Sequence, residues 1–140
     1  MIDLKKKKFF KFCSVLNCAK ITCDEYFKEN FNYKSMNLYD GGNQGMIGLF
    51  FEAVNFIENA ISNGGKVYVH CVQGISRSSS FVLSYLIWKE KISFKKLYEN
   101  LKTIRPVSSP NPGFLVQLMK WEEYLKKKLL GFYVHPNLFG

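Results

Sequence analysis

Apolar residues recur along this chain with two different periods, and the period alternates from segment to segment. Phe12 to Asn17, Tyr33 to Leu38 and Val67 to His70 are short apolar runs carrying β-branched or aromatic residues, the pattern of strands. Between and after them the spacing becomes helical. From Met46 to Ser62, Ile47, Phe50, Phe51, Val54, Phe56, Ile57 and Ile61 are predicted to share one buried stripe, stopped by Gly64-Gly65. Phe81 to Trp88 continues a second helix to Lys89. Ser93 caps a third, with Phe94, Leu97, Leu101 and Ile104 predicted to face inward and Arg105-Pro106 ending it. Asn111 and Pro112 open the last helix as cap and first residue, and it runs to about Leu130, where Gly131 can terminate it. Thr22 or Asp24 can cap a further short helix through Asn30. Strands alternating with helices predict an α/β fold, with a mostly parallel central sheet flanked by helices on both faces.

A chain of 140 residues is one domain with enough length to bury a core. We place that domain at residues 12–130, between a basic N-terminal segment (1–11) and an apolar C-terminal tail (131–140). No apolar run reaches the length of a membrane span, and no signal-peptide stretch opens the chain. Four cysteines without paired spacing point to a reducing compartment, the cytoplasm and/or the nucleus. The net charge of +9 raises the question of nucleic acid. The lysines are scattered, however, and neither a zinc pattern nor an RNA-binding aromatic signature is present. A positive field that attracts phosphorylated substrates is the simpler use of the charge. Lys5-Lys6-Lys7-Lys8 reads as a solvated tail more simply than as a docking or nuclear address. Lys126-Lys127-Lys128 suit the end of a helix dipole and need no ligand. His135 reads as a surface or packing residue.

The stretch that carries chemistry is His70-Cys71-Val72-Gln73-Gly74-Ile75-Ser76-Arg77-Ser78, between the strand ending at His70 and the helix through Phe81. A strand-loop-helix turn aims successive backbone N–H groups and the positive end of a helix at one point, a ready site for a phosphate dianion. The candidate phosphate-binding residues are Val72, Gln73, Gly74, Ile75, Ser76 and Arg77. Cys71 stands at the loop's entrance, and the same positive environment lowers a thiol's pKa toward the thiolate that attacks. Arg77 offers a planar fork for two phosphoryl oxygens. Eighteen of the twenty basic residues are lysines, so an arginine here is a marked choice. Gly74 permits the curl of the loop, Ser78 can donate to the departing sulfur, and His70 is expected to orient the loop's start by hydrogen bonding. The plain alternative is a buried cysteine ahead of an ordinary helix cap.

This motif resembles the signature of the cysteine-dependent protein tyrosine phosphatases, specifically their dual-specificity branch, carried without gaps. The resemblance runs from about Cys13 to Leu125. It includes Ser14-Val15-Leu16-Asn17, the Asp40 loop, Gly64-Gly65-Lys66-Val67, Arg105-Pro106 and Pro110-Asn111-Pro112-Gly113-Phe114. With Glu25-Tyr26-Phe27-Lys28 and Tyr85-Leu86-Ile87-Trp88, it is most similar to MAP-kinase phosphatases of plant type. The resemblance implies a metal-free and cofactor-free phosphatase of phosphotyrosine and phosphoserine/phosphothreonine that acts through a phosphocysteine, with phosphorylated proteins, MAP kinases among them, as partners.

Read from its residues alone, Asp40 on a glycine-rich loop is either a turn cap or a general acid. The resemblance implies the acid, with Asp24 and Glu52 as the fallbacks. It also implies that Asn111, beyond capping its helix, steadies the phosphate loop. Family members usually have a longer lead before the segment matching Val15-Leu16-Asn17, so part of that lead is expected to be missing. Val67–His70 is then expected at an exposed sheet edge, open to self-association. The strand order of resembled phosphatases places Cys18 beside Cys71 as a candidate redox partner, against the plain reading of Cys18 as a small buried filler. Two rival functions are a phosphatase of inositol lipids or RNA 5′ ends, and a non-catalytic phosphoprotein reader. The uncharged Val72, Gln73, Ile75 and Ser76 weigh against the lipid reading. Intact Cys71, Arg77 and Asp40 weigh against the reader.

Overall fold

Among the described residues, three short strands, β1 (Cys13–Asn17), β2 (Asn32–Ser35) and β3 (Lys66–His70), form a parallel sheet in the order β2-β1-β3. The structure is a computed structural model, and it describes residues 13–41 and 44–129. The segments 1–11 and 131–140, Phe12, and the helix stop at Leu130-Gly131 lie outside the described residues. β1 is central because it is the most thoroughly covered strand: Val15, Leu16 and Asn17 are all buried. Asn17 pairs with Ser35 on one side and with His70 on the other, so the strands' carboxyl ends lie level. Among the described residues β3 has no strand on its outer side, and Tyr68 there is 68% exposed. Within the described residues this agrees with the edge placement expected for Val67–His70.

Among the described residues, four helices follow the predicted spacing: α1 (Ile47–Ser62), α2 (Arg77–Glu90), α3 (Phe94–Ile104) and α4 (Pro112–Leu129). They flank the sheet around α2, whose Ser78, Ser79, Ser80, Phe81, Leu83, Ser84, Tyr85 and Ile87 are buried. Small serines let neighbours approach α2 closely. Trp121 of α4 reaches over it and donates its indole N–H to the Ser84 carbonyl at 3.0 Å. Phe50 of α1 meets Phe81 and Trp121 at ring separations of 5.8 and 5.7 Å. Such aromatic pairs contribute about 0.5–1.5 kcal/mol each beyond their buried area. Glu58 of α1 also accepts from Tyr85 and Lys89 of α2, at 2.8 and 2.9 Å.

Three expectations change. The short helix through Asn30 is instead a run of turns, closed by Thr22 and Cys23 N–H groups on the Ala19 carbonyl and by Asn30 and Phe31 on Phe27. A helix of that length needs an apolar face to bury, and Tyr26 and Phe27 stand exposed. The strand expected from Tyr33 to Leu38 is regular only to Ser35, although Met36 and Leu38 keep the buried alternation beyond it. Ile61 and Ile104, predicted inward, are 42% and 82% exposed, because each sits in the last turn as its helix leaves the core.

Candidate active site

The loop between β3 and α2 closes on the sulfur of Cys71. Gly74 N–H donates to Cys71 Sγ at 3.2 Å, and Ser78 Oγ lies 3.3 Å from it on the other side. Gly74 holds φ at 68°, the left-handed region that lets the chain curl back over its own start. Burial alone would push the Cys71 thiol up. Hydrogen bonds from the Ser78 side chain and from the Ser78, Gly74 and Ile75 N–H groups more than offset it, so the net shift is downward. His70 Nδ1 lies 3.2 Å from the Cys71 carbonyl oxygen, and its ring stacks on Tyr68 at 5.7 Å. That geometry matches an orienting hydrogen bond at the loop's start. Val72 and Gln73 form the exposed rim, Gly74, Ile75 and Arg77 are half-buried, and Ser76 is buried.

Arg77 begins α2 and crosses to the neighbouring loop, where Nη1 donates to the Leu38 carbonyl at 3.3 Å. Its Nε is buried and has no hydrogen-bond partner among the described residues. A buried charged donor left unmatched is costly in a closed protein. It is well used if an oxyanion completes the site. Two residues past Leu38, Asp40 is exposed, and its Oδ1 accepts from Asn111 Nδ2 at 2.8 Å. Asn111 also donates its backbone N–H to Ser76 Oγ at 2.9 Å and caps α4 by accepting from the Phe114 N–H at 2.9 Å. Asn111 therefore joins α4, the Cys71–Arg77 loop and the Asp40 loop. The fallback acids have other surroundings: Glu52 is paired with Lys34 at 3.2 Å, and Asp24 lines a separate groove that reaches His70 and Cys71 beside Tyr26, Phe27 and Tyr33.

Cys18 is fully buried just past the end of β1, and its N–H donates to the His70 carbonyl at 2.8 Å. Its thiol is pushed up by burial first and by Cys71 second, with Arg77 opposing. The strand order expected for the pair is thus the one observed. The residue that the motif alone does not disclose is Arg105, whose Nε and Nη2 both donate to the Gly74 carbonyl at 3.3 Å. Being one of only two arginines in the chain was its signal in the sequence. Ser109 is a second omission: its N–H donates to the Ile75 carbonyl at 2.8 Å, a backbone contact that no residue type announces.

A loop of inward N–H groups, an arginine with an unmatched donor, a thiol shifted toward thiolate and a nearby carboxylate can together bind a phosphoryl group and attack it. The model of the dual specificity phosphatase catalytic domain matches residues 1–124 of the chain. The chain belongs to the dual-specificity phosphatase family. The protein-tyrosine-phosphatase MKP1 of Arabidopsis thaliana is 36% identical over 109 residues, which is 78% of this chain and 14% of that protein. Dual specificity protein phosphatase 1 of Homo sapiens is 35% identical over 100 residues, 71% of this chain and 27% of that protein. Among solved structures, human DUSP28 superposes with a TM-score of 0.78 at 24% identity, covering 91% of this chain and 87% of that one. The chain thus spans a minor part of the length of its curated relatives, and the whole of the solved one's fold is nearly matched.

Proposed function

We propose that the chain is a cysteine-dependent protein phosphatase that hydrolyses phosphotyrosine and phosphoserine/phosphothreonine esters through a phosphocysteine. The observation that carries this reading is Cys71, shifted toward thiolate, within one loop of an Arg77 whose Nε has no partner among the described residues. Cys71 thiolate attacks phosphorus in line with the leaving oxygen, while the loop N–H groups and Arg77 hold the equatorial oxygens. The P–O bond breaks as the S–P bond forms, and Asp40 gives its proton to the leaving oxygen. Asp40, now a carboxylate, takes a proton from water as that water attacks the phosphocysteine. Phosphate departs, and Ser78 donates to the released sulfur. The loop supplies the positive potential for both steps, so the residues require no metal or cofactor.

Phosphorylated proteins are the proposed partners. MAP kinases are a candidate class because the similar proteins include a phosphatase named MKP1. None of the described helices is long and apolar enough to cross a membrane, and we assign the chain to the cytoplasm and/or nucleus on its cysteine usage. Nucleic acid has no place in this reading. The outer edge of β3 is proposed to favour self-association, for which concentration-dependent light scattering is the check. Turnover of a small aryl phosphate with EDTA present, blocked by vanadate and absent in Cys71→Ser, tests the function. Metal-dependent turnover, or full activity in that variant, would sink it.

A further inference from the structure

Both arginines of the chain end at the phosphate loop, and only one of them belongs to it. Arg105 follows α3 and reaches back across 31 positions to place Nε and Nη2 on the same carbonyl oxygen, that of Gly74. A lysine has no such planar pair of donors. The Arg105 backbone is itself fixed, since Ser108 N–H donates to its carbonyl at 3.0 Å. The next two contacts come from the same segment: Ser109 N–H on the Ile75 carbonyl, and Asn111 N–H on Ser76 Oγ. Residues 105–111 thus brace three successive loop positions, Gly74, Ile75 and Ser76.

The brace on Gly74 has a directional consequence. The Gly74–Ile75 peptide is trans, so its C=O and N–H point to opposite sides. Fixing the carbonyl on Arg105 turns the Ile75 N–H the other way, toward the sulfur of Cys71. The Ile75 N–H is one of the groups that draw the Cys71 thiol downward, which agrees with that orientation. Gly74 is fitted to the contact as well. A Cβ there would lie 2.7 Å from Arg105 Nη2, so the guanidinium packs against a bare α-carbon.

We propose that Arg105 is a positioning residue that orients the Gly74–Ile75 peptide and so keeps its N–H directed at Cys71 and at the phosphate it would attack. The proposal deepens the reading of Cys71 as nucleophile. It differs from two simpler roles, a charge that steers anions and a contact that only adds stability. The test is the pH dependence of Cys71 alkylation by iodoacetamide, a neutral reagent, followed on the Cys71 peptide by mass spectrometry. In Arg105→Ala the alkylation midpoint is expected to rise by about one pH unit, as one good donor to the thiolate is lost. On an aryl phosphate kcat/KM is expected to fall about tenfold, chiefly in kcat. Arg105→Lys, which keeps the charge without the fork, is expected to lie closer to the alanine variant than to the wild type. An unmoved midpoint in Arg105→Ala, or full recovery in Arg105→Lys, overturns the proposal. If circular dichroism shows that the alanine variant does not fold, Arg105→Gln, with one donor left, is read in the same way. Alkylation needs no turnover, so a wild type that hydrolysed nothing would sink the phosphatase reading and leave this test standing.

Discussion

Asn111 Nδ2 donates to Asp40 Oδ1 at 2.8 Å, across 71 positions of sequence. The same residue's N–H holds Ser76 Oγ, and its Oδ1 caps α4. One side chain therefore sets the acidic loop against the phosphate loop, with a rigid helix as its anchor. A carboxylate on a loop that also holds Gly41 and Gly45 gains more from such a tether than one on a helix would.

The tether is separable from the cap. Asn111→Asp keeps an oxygen to accept from the Phe114 N–H and suits the positive end of a helix. It loses the donor to Asp40 and adds a like charge beside it. We expect stability near that of the wild type and slower hydrolysis of phosphates with poor leaving groups. Asp40→Asn should show the same leaving-group bias more strongly, roughly 10²-fold or more for the poorest. Comparing kcat across aryl phosphates of graded acidity checks both. An equal loss for good and poor leaving groups would move the acid to another residue, Asp24 first.

The fold was legible because both of its periods are written plainly. Val67, Tyr68 and Val69 read as a strand, and Phe50, Val54 and Ile57 as a helix stripe, and both are so observed. That Cys71, Gly74, Arg77 and Ser78 share one curled loop was legible because residue type at fixed local spacing marks such a loop, and the contacts of Gly74 and Ser78 with the Cys71 sulfur are observed. Arg105 and Ser109 were not, since they act across about thirty positions through the carbonyls of Gly74 and Ile75. Tyr26 and Phe27 misled for another reason. A cap and apolar residues suggest a helix, but what decides a short helix is whether its face is buried, and these two residues are exposed.

Ser78 is expected to set the acid limb of the pH profile. Its side chain is the largest of the influences that lower the Cys71 thiol, ahead of the backbone donors. Below the Cys71 pKa the thiol is protonated and cannot attack, so activity rises with pH through that value. Removing a donor to the thiolate disfavours the charged form and raises the pKa. Ser78→Ala should therefore move the acid limb of kcat/KM to higher pH, and it should also slow phosphocysteine breakdown, which shows as a burst in rapid-mixing kinetics. A limb at its original pH would remove Ser78 from the control of the thiolate.

Lys91 ends α2 in the left-handed region at φ 55°, the sole residue besides glycine with positive φ among the described residues. A side chain there crowds the following carbonyl, at a cost of roughly 1 kcal/mol. Lys91→Gly should raise stability by about 0.5–1 kcal/mol, since glycine is the usual residue at this position after a helix. Urea unfolding reads the change directly. A loss of stability would mean that the lysine's contacts outweigh its backbone strain.

The rim of the site predicts its breadth. Val72, at 55% exposure, and Gln73 stand open to solvent, as do Tyr39 and Asp40 on the facing loop. A low rim admits the short stem of phosphothreonine as well as the longer stem of phosphotyrosine. On a peptide phosphorylated at both residues, both phosphates should be released, at rates followed by mass spectrometry. Release from tyrosine alone would show that the pocket is deeper than its rim suggests.

Peroxide should inactivate the chain reversibly, with Cys18 as the rescuing thiol. A thiolate at Cys71 reduces peroxide and becomes a sulfenic acid, releasing hydroxide; further oxidation to sulfinic acid is not undone by thiols. Cys18 stands beside it, because β1 and β3 are adjacent and parallel and Cys18 N–H holds the His70 carbonyl. Neighbouring strands lie about 4.8 Å apart, within the Cα range of a disulfide after a small loop shift. Attack of the Cys18 sulfur on the sulfenic sulfur forms the S–S bond, and the displaced hydroxide leaves as water with the Cys18 proton. Burial keeps that proton on Cys18 and slows the attack, so low peroxide should favour rescue and high peroxide permanent loss. The rival role is a small filler among Leu16, Met36 and Phe81, core residues with which Cys18 is buried. After peroxide exposure long enough to carry an untrapped sulfenic acid on to sulfinic acid, and then dithiothreitol, the wild type should regain activity and Cys18→Ser should not. Equal recovery in the two would leave Cys18 as packing alone.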